Sequence, residues 1–134
     1  MRAAGRIKIG EAHDFVLGGD IELAVDEGDT VRHGEAVGYG MLVAGEISKR
    51  LGRLAPLELE SLKRAVRLCG RLPRTHDLNL ARIEKALAHD KKRTGGSIKW
   101  VLLERIGRAA LVDGREVPQK ILRDSLRAVL HENS

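Results

Sequence analysis

The chain has 134 residues, which is room for one domain and one core. Hydrophobic residues make up 43% and charged residues 32%, which excludes a disordered composition; with one Phe, one Tyr and one Trp, the core must be Leu, Val, Ile and Ala, as suits packed helices. The formal net charge of +5 is spread along helical patterns without interleaved aromatics, so no nucleic-acid partner is expected.

No run approaches the ~18 apolar residues of a membrane span, and Met1 to Arg6 lead into no apolar signal-peptide region, so no membrane association is expected and a cytoplasmic location is. Cys69 is alone, which excludes an intramolecular disulfide; its place in a helical pattern predicts a buried, inert thiol.

Residues 1–32 differ in texture from the rest. Ile7, Ile9, Phe15, Val16, Leu17, Ile21, Leu23 and Val25 favour β-structure, broken by Gly10, Gly18-Gly19 and Gly28. Alternation from Ile21 to Asp26 suggests a small strand, with a helix over 19–27 as the competing reading. From Gly34 to Leu51 the spacing of Val37, Met41, Ala44 and Ile47 predicts a helix, with Lys49 and Arg50 in its last turn and Gly52 as the stop. Glycines at 34, 38, 40 and 45 suggest close approach of another backbone or a ligand.

Pro56 opens a second helix, ended by Gly70, with Leu57, Leu59, Leu62, Ala65, Val66 and Leu68 on its inward side. A third is expected from Asn79 to His89, followed by a polar turn from Lys91 to Gly96. Ile98–Leu103 and Ala109–Val112 read as two strands joined through Gly107, Asp113-Gly114 as a turn, and Pro118 to Leu130 as a last helix with Ile121, Leu122, Leu126 and Val129 on one face.

Two short blocks carry chemistry. In His33-Gly34-Glu35 a histidine stands at a helix N-terminus, where the positive end of the macrodipole disfavours the imidazolium and keeps the ring neutral, the form zinc requires. In Asp90-Lys91-Lys92 two ammonium groups precede the glycines at 95 and 96; each is a compact point charge suited to a carboxylate or phosphate.

His33-Gly34-Glu35-Ala36-Val37-Gly38-Tyr39-Gly40-Met41, followed by His89-Asp90-Lys91-Lys92, Gly95-Gly96 and Ile98 to Leu103, resembles the C-terminal, mostly helical domain of 3-dehydroquinate synthase over about residues 20–132. The resemblance implies a mainly α domain from 33 to 134 with a short β-hairpin, behind a remodelled segment over 1–32. It implies that His33 descends from a zinc ligand and that Lys91 or Lys92 descends from a substrate-binding lysine. The family's second histidine block aligns on Asp14-Phe15-Val16-Leu17-Gly18-Gly19 and keeps only Gly18, with Phe15 and Gly19 where the histidines stand. Residues 25–35 also resemble a turn of biotinyl and lipoyl carrier domains, but 45–60 read as a helix end and a proline start where those domains carry a lysine hairpin.

The family binds NAD in an N-terminal α/β domain, and the 134 residues have no Gly-rich βαβ unit, so no NAD binding and no parent activity are expected of them. A detached or truncated C-terminal domain is the first expectation. The second is a small metal-dependent hydrolase of an anionic phosphate ester. There His33 and Glu35 would be catalytic, His13, Asp14, Asp20 and Glu22 would be further candidate ligands for a divalent metal such as zinc, and Lys91 and Lys92 would hold the anion. The third is a helical oligomerisation module. A homodimer is expected through the apolar face of Phe15, Val16, Leu17 and the start of the His33 helix.

Overall fold

Glycine ends the first described helix as its position in the sequence predicts. Helix α1 runs from His33 to Arg50. Gly52 adopts a positive φ of 75°, and the amides of Gly52 and Arg53 turn back to the carbonyls of Lys49 and Ser48, each at 2.9 Å. This satisfies acceptors that a helix end leaves open. The computed structural model describes residues 33–69, 80–93, 95 and 99–132; the expected β segment near the N-terminus lies outside them.

Helix α1 is the centre of the domain. Every residue from Leu42 to Ser48 is buried, and α2, β1 and the last helix pack around it. Helix α2 (Pro56–Leu68) starts at a proline, whose missing N–H costs nothing in a first turn. Its buried stripe is Leu59, Leu62, Lys63 and Val66, at helical spacing. Here the sequence reading needs correction: Leu57 and Leu68 are 82% and 83% exposed, Ala65 is exposed, and Cys69 is an exposed thiol. The inward stripe is narrower than the apolar residues suggested, because Lys63 holds a place in it.

Helix α3 runs from Leu80 to Arg93, with Ile83 and Leu87 buried. It extends past the expected stop at His89. Asp90, Lys91, Lys92 and Arg93 are compatible with a helix, and cations in a last turn suit the macrodipole. The first real breaker is Gly95, at φ 84°. Lys91 and Lys92 therefore stand on a helix rather than in a turn.

Strands β1 (Lys99–Arg105) and β2 (Arg108–Asp113) pair antiparallel around Gly107, at φ 86°. Trp100, Leu102 and Val112 turn into the core. Asp113 then caps a single 3₁₀ turn, Gly114–Glu116, by accepting the Arg115 amide at 2.9 Å. Helix α4 (Gln119–Glu132) follows Pro118 and buries Ser125, Leu126 and Val129. The expected mainly α domain with four helices and a short hairpin is present, and among the described residues the sheet is two-stranded.

Candidate functional site

The two chemistry-bearing blocks fall at opposite ends of their helices. His33 is the first residue of α1, and Glu35 lies in its first turn. Their backbone is helical; their side chains are outside the described residues, as are His13, Asp14, Asp20, Glu22, Phe15, Val16 and Leu17 altogether. Lys91 and Lys92 lie on the last turn of α3 and are exposed.

What fixes α1 is the opposite end of the helix. A Cβ placed on Gly45 would stand 2.7 Å from Leu62 Cδ2 and 2.9 Å from Leu59 Cδ1, so the missing side chain lets α2 approach. The expected close approach at this glycine is to a neighbouring helix. One turn on, Ser48 is fully buried. Its Oγ donates to the Ala44 carbonyl at 2.6 Å and accepts the Leu103 amide at 2.9 Å, tying α1 to β1.

Between these, Glu46 is 2% exposed and faces three cations. Its Oε1 is 3.4 Å from Lys63 Nζ, and its Oε2 is 3.6 Å from Arg50 Nε and 3.7 Å from Lys49 Nζ. Lys63 Nζ also reaches Glu60 Oε1 at 3.4 Å. Sequence reasoning placed Lys49 and Arg50 as helix-end charges and passed over Glu46 and Lys63. The available signal was a lysine standing on the Leu59–Leu62–Val66 stripe, because a cation on a buried stripe needs an anion.

Lys91 borders a cavity of about 510 Å³ enclosed by α3, β1, the 3₁₀ turn and the start of α4. Trp100, Val117 and Leu122 supply apolar wall; Arg115 and Gln119 supply polar groups. Glu84, also on the wall, is held by Arg123 Nε at 3.0 Å. Arg115 is committed to Asp113: its Nε and Nη2 donate to the two carboxylate oxygens at 3.2 and 3.1 Å. Those side-chain bonds, with the Arg115 amide, hold the Asp113 carboxyl below the ordinary carboxylate range and push the Arg115 guanidinium up. The arrangement is a mixed apolar and cationic hollow with one lysine at its rim.

Among the described residues no group of three or more His, Cys, Asp or Glu could hold a metal ion.

The family model for the C-terminal domain of 3-dehydroquinate synthase matches residues 15–93. The chain belongs to this family. The 3-dehydroquinate synthase of Bradyrhizobium sp. (strain BTAi1) is 33% identical over 130 residues, which is 89% of this chain and 32% of that protein. That of Nitrosococcus oceani is 38% identical over 84 residues, 61% of this chain and 23% of that protein. The chain thus spans a third or less of the curated relatives it matches.

Solved structures agree in fold. A 2-epi-5-epi-valiolone synthase from Streptomyces hygroscopicus subsp. jinggangensis 5008, solved with NAD+ and Zn2+ bound, aligns with 90% of this chain and 32% of its own, at TM-score 0.67 and 25% identity. A 2-deoxy-scyllo-inosose synthase complexed with carbaglucose-6-phosphate, NAD+ and Co2+ aligns with 90% of this chain and 35% of its own, at TM-score 0.65 and 24% identity. The hairpin and α4 lie beyond the stretch the dehydroquinate synthase domain model matches, and these alignments carry the common fold through most of the chain.

Proposed function

We propose that this chain supplies the substrate-side half of a dehydroquinate-synthase-type active site, and that the 134 residues alone do not perform the parent reaction. The observation that supports this best is the placement of Lys91, from the family-like Asp90-Lys91-Lys92 block, at the rim of a hollow walled by Trp100, Arg115 and Gln119. An ammonium there recognises an anionic group, a phosphate or carboxylate, and the apolar wall excludes water behind it. The substrate class this fits is an anionic sugar or its ring-closed analogue, in keeping with the carbaglucose phosphate named for one neighbour.

NAD, bound by the relatives' other half, would supply reversible hydride transfer; no residue described in this chain is assigned to hold it. His33 is proposed as the one inherited metal-ligand position. The described residues contain no set of donors fitting a metal, so this reading routes no step through one.

Two measurements on the purified 134-residue chain test the proposal. Assayed with the heptulosonate phosphate substrate and NAD, it should give no dehydroquinate. Titrated with inorganic phosphate and with a sugar phosphate, it should show shifts of Trp100 and of the α3 amides that Lys91→Ala removes. Turnover by the chain alone would refute the first half, and shifts that survive both Lys91→Ala and Lys92→Ala would refute the second.

A further inference from the structure

The hairpin ends in a charged corner that two hollows share. Asp113 closes β2, and Arg115 follows it in the 3₁₀ turn. Arg115 lines both the hollow beside Lys91 and a surface groove of about 710 Å³ along β2. Asp113, Lys99 and Glu116 line the groove and are not on the wall of the hollow. The hollow therefore meets the arginine without its carboxylate. The charged side chains on its wall are Lys91, Arg115 and Glu84, and Glu84 is held by Arg123 at 3.0 Å. Two cations thus share the hollow with one anion that has a cation of its own.

The pairing with Asp113 does not use up the guanidinium. Arginine carries five N–H donors, and Asp113 takes one on Nε at 3.2 Å and one on Nη2 at 3.1 Å, which leaves three. Lys99 faces Asp113 across the strands and acts on the same carboxyl, so that carboxyl does not answer Arg115 alone. What the two bonds do is hold. A solvated arginine samples many rotamers, whereas one gripped on Nε and Nη2 keeps the plane of its remaining donors fixed.

We infer that Arg115 is a specificity-determining residue of this hollow, which with Lys91 selects a phosphate ester over a carboxylate, and that Asp113 is its positioning residue. The inference rests on the proposed function in taking the hollow as an anion site. Charge and shape make the distinction. A phosphate monoester carries about −1.5 to −2 charge at pH 7 and three acceptor oxygens, so an ammonium and a guanidinium can engage it from two directions. A carboxylate has a single charge and two coplanar oxygens, which one such cation can satisfy.

The test uses two matched probes, glucose 6-phosphate and glucuronate, which carry a phosphate or a carboxylate at the same end of a sugar. Trp100, the one tryptophan of the chain, lines the hollow and reports binding by its fluorescence. The whole chain should bind the phosphate about tenfold more tightly than the carboxylate, the selectivity expected of one additional charge-assisted contact. Arg115→Gln should lower phosphate affinity by about that factor and leave glucuronate nearly unchanged, so that the selectivity disappears. The Arg115 side chain is 74% exposed, so this variant keeps the fold. Asp113→Asn should lose part of the selectivity, and the Arg115 Nε–H signal, protected in the wild type, should exchange rapidly with solvent. A purely turn-capping Asp113 would leave that signal unmoved and so overturn the positioning role. Equal wild-type affinities for the two probes would overturn the inference, as would selectivity that survives Arg115→Gln; if Lys91→Ala still abolishes binding in either case, the proposed function stands. Failure of the wild type to bind either probe would overturn both.

Discussion

The C-terminal half of α1 and the C-terminal turn of α3 carry comparable charge and treat it in opposite ways. On α1, Glu46 and Ser48 are buried, and each polar side chain reaches across to another element: Glu46 to Lys63 of α2, Ser48 to the Leu103 amide of β1. On α3, Lys91 and Lys92 stay at the surface, and Lys91 borders a hollow. The first region buries its polar groups between elements; the second keeps them at the surface. Damage to the first should appear as lost stability, and damage to the second as lost binding with the fold intact.

The largest effect is expected at Glu46. Glu46→Ala removes the buried carboxylate that faces the Lys63 ammonium, and should cost about 3 kcal/mol in urea unfolding. Lys63→Met should cost less, because Glu46 keeps Lys49 and Arg50. The double variant Glu46→Leu with Lys63→Met should recover much of the loss. Strict additivity of the two changes would show that the pair is not coupled.

Gly45→Val comes next. Its first carbon already falls under 3.0 Å from two leucine methyls, and further methyls must force α2 outward. Overpacking of this kind costs about 1–3 kcal/mol. An unchanged unfolding midpoint would mean that α1 and α2 can separate freely.

Ser48→Ala should cost about 1–2 kcal/mol, the penalty for an amide left without its partner. Hydrogen exchange at the Leu103 amide should quicken while the amides of α2 do not, which separates loss of the α1–β1 tie from general loosening. Smaller again is the stability effect of Lys91→Ala or Lys92→Ala, within about 0.5 kcal/mol for an exposed helix end. Phosphate affinity should nonetheless fall by about 1–3 kcal/mol for the lysine that makes the charge-assisted contact. A large drop in melting temperature from either change would erase the contrast between the two helices.

This contrast was only half legible in the sequence. Helix starts at Pro56 and Pro118, the stop at Gly52 and the hairpin turn at Gly107 could be read because proline and glycine act on the local backbone alone. The family blocks at His33 and Asp90 could be read because they are contiguous. The partners of Glu46 and Ser48 could not: Lys63 and Leu103 are seventeen and fifty-five residues away, and only packing brings them near. The same limit explains Cys69, Leu57 and Leu68, whose apolar character fits an inward face that α2 gives to Lys63. In α3 the misreading was local: a polar run looked like a turn, but the helix continues to Arg93.

The smallest effect tests a group that belongs to neither helix. Asp113 holds Arg115 at the end of the hairpin, and the hydrogen bonds from Arg115 depress its carboxyl from the ordinary value of 3.8. A carboxylate with a depressed folded-state pKa contributes stability that is present above its unfolded-state value and is lost as pH falls through the folded one. Asp113→Asn keeps an oxygen that can accept the Arg115 amide but loses the charge. Wild type should therefore be slightly more stable than the variant at neutral pH, and the gap should close below pH 3.8. Because the pair is exposed, added salt should narrow the gap as well. Thermal unfolding of both chains across that pH range measures it. A gap independent of pH would assign the role of Asp113 to capping the 3₁₀ turn, with its charge contributing nothing.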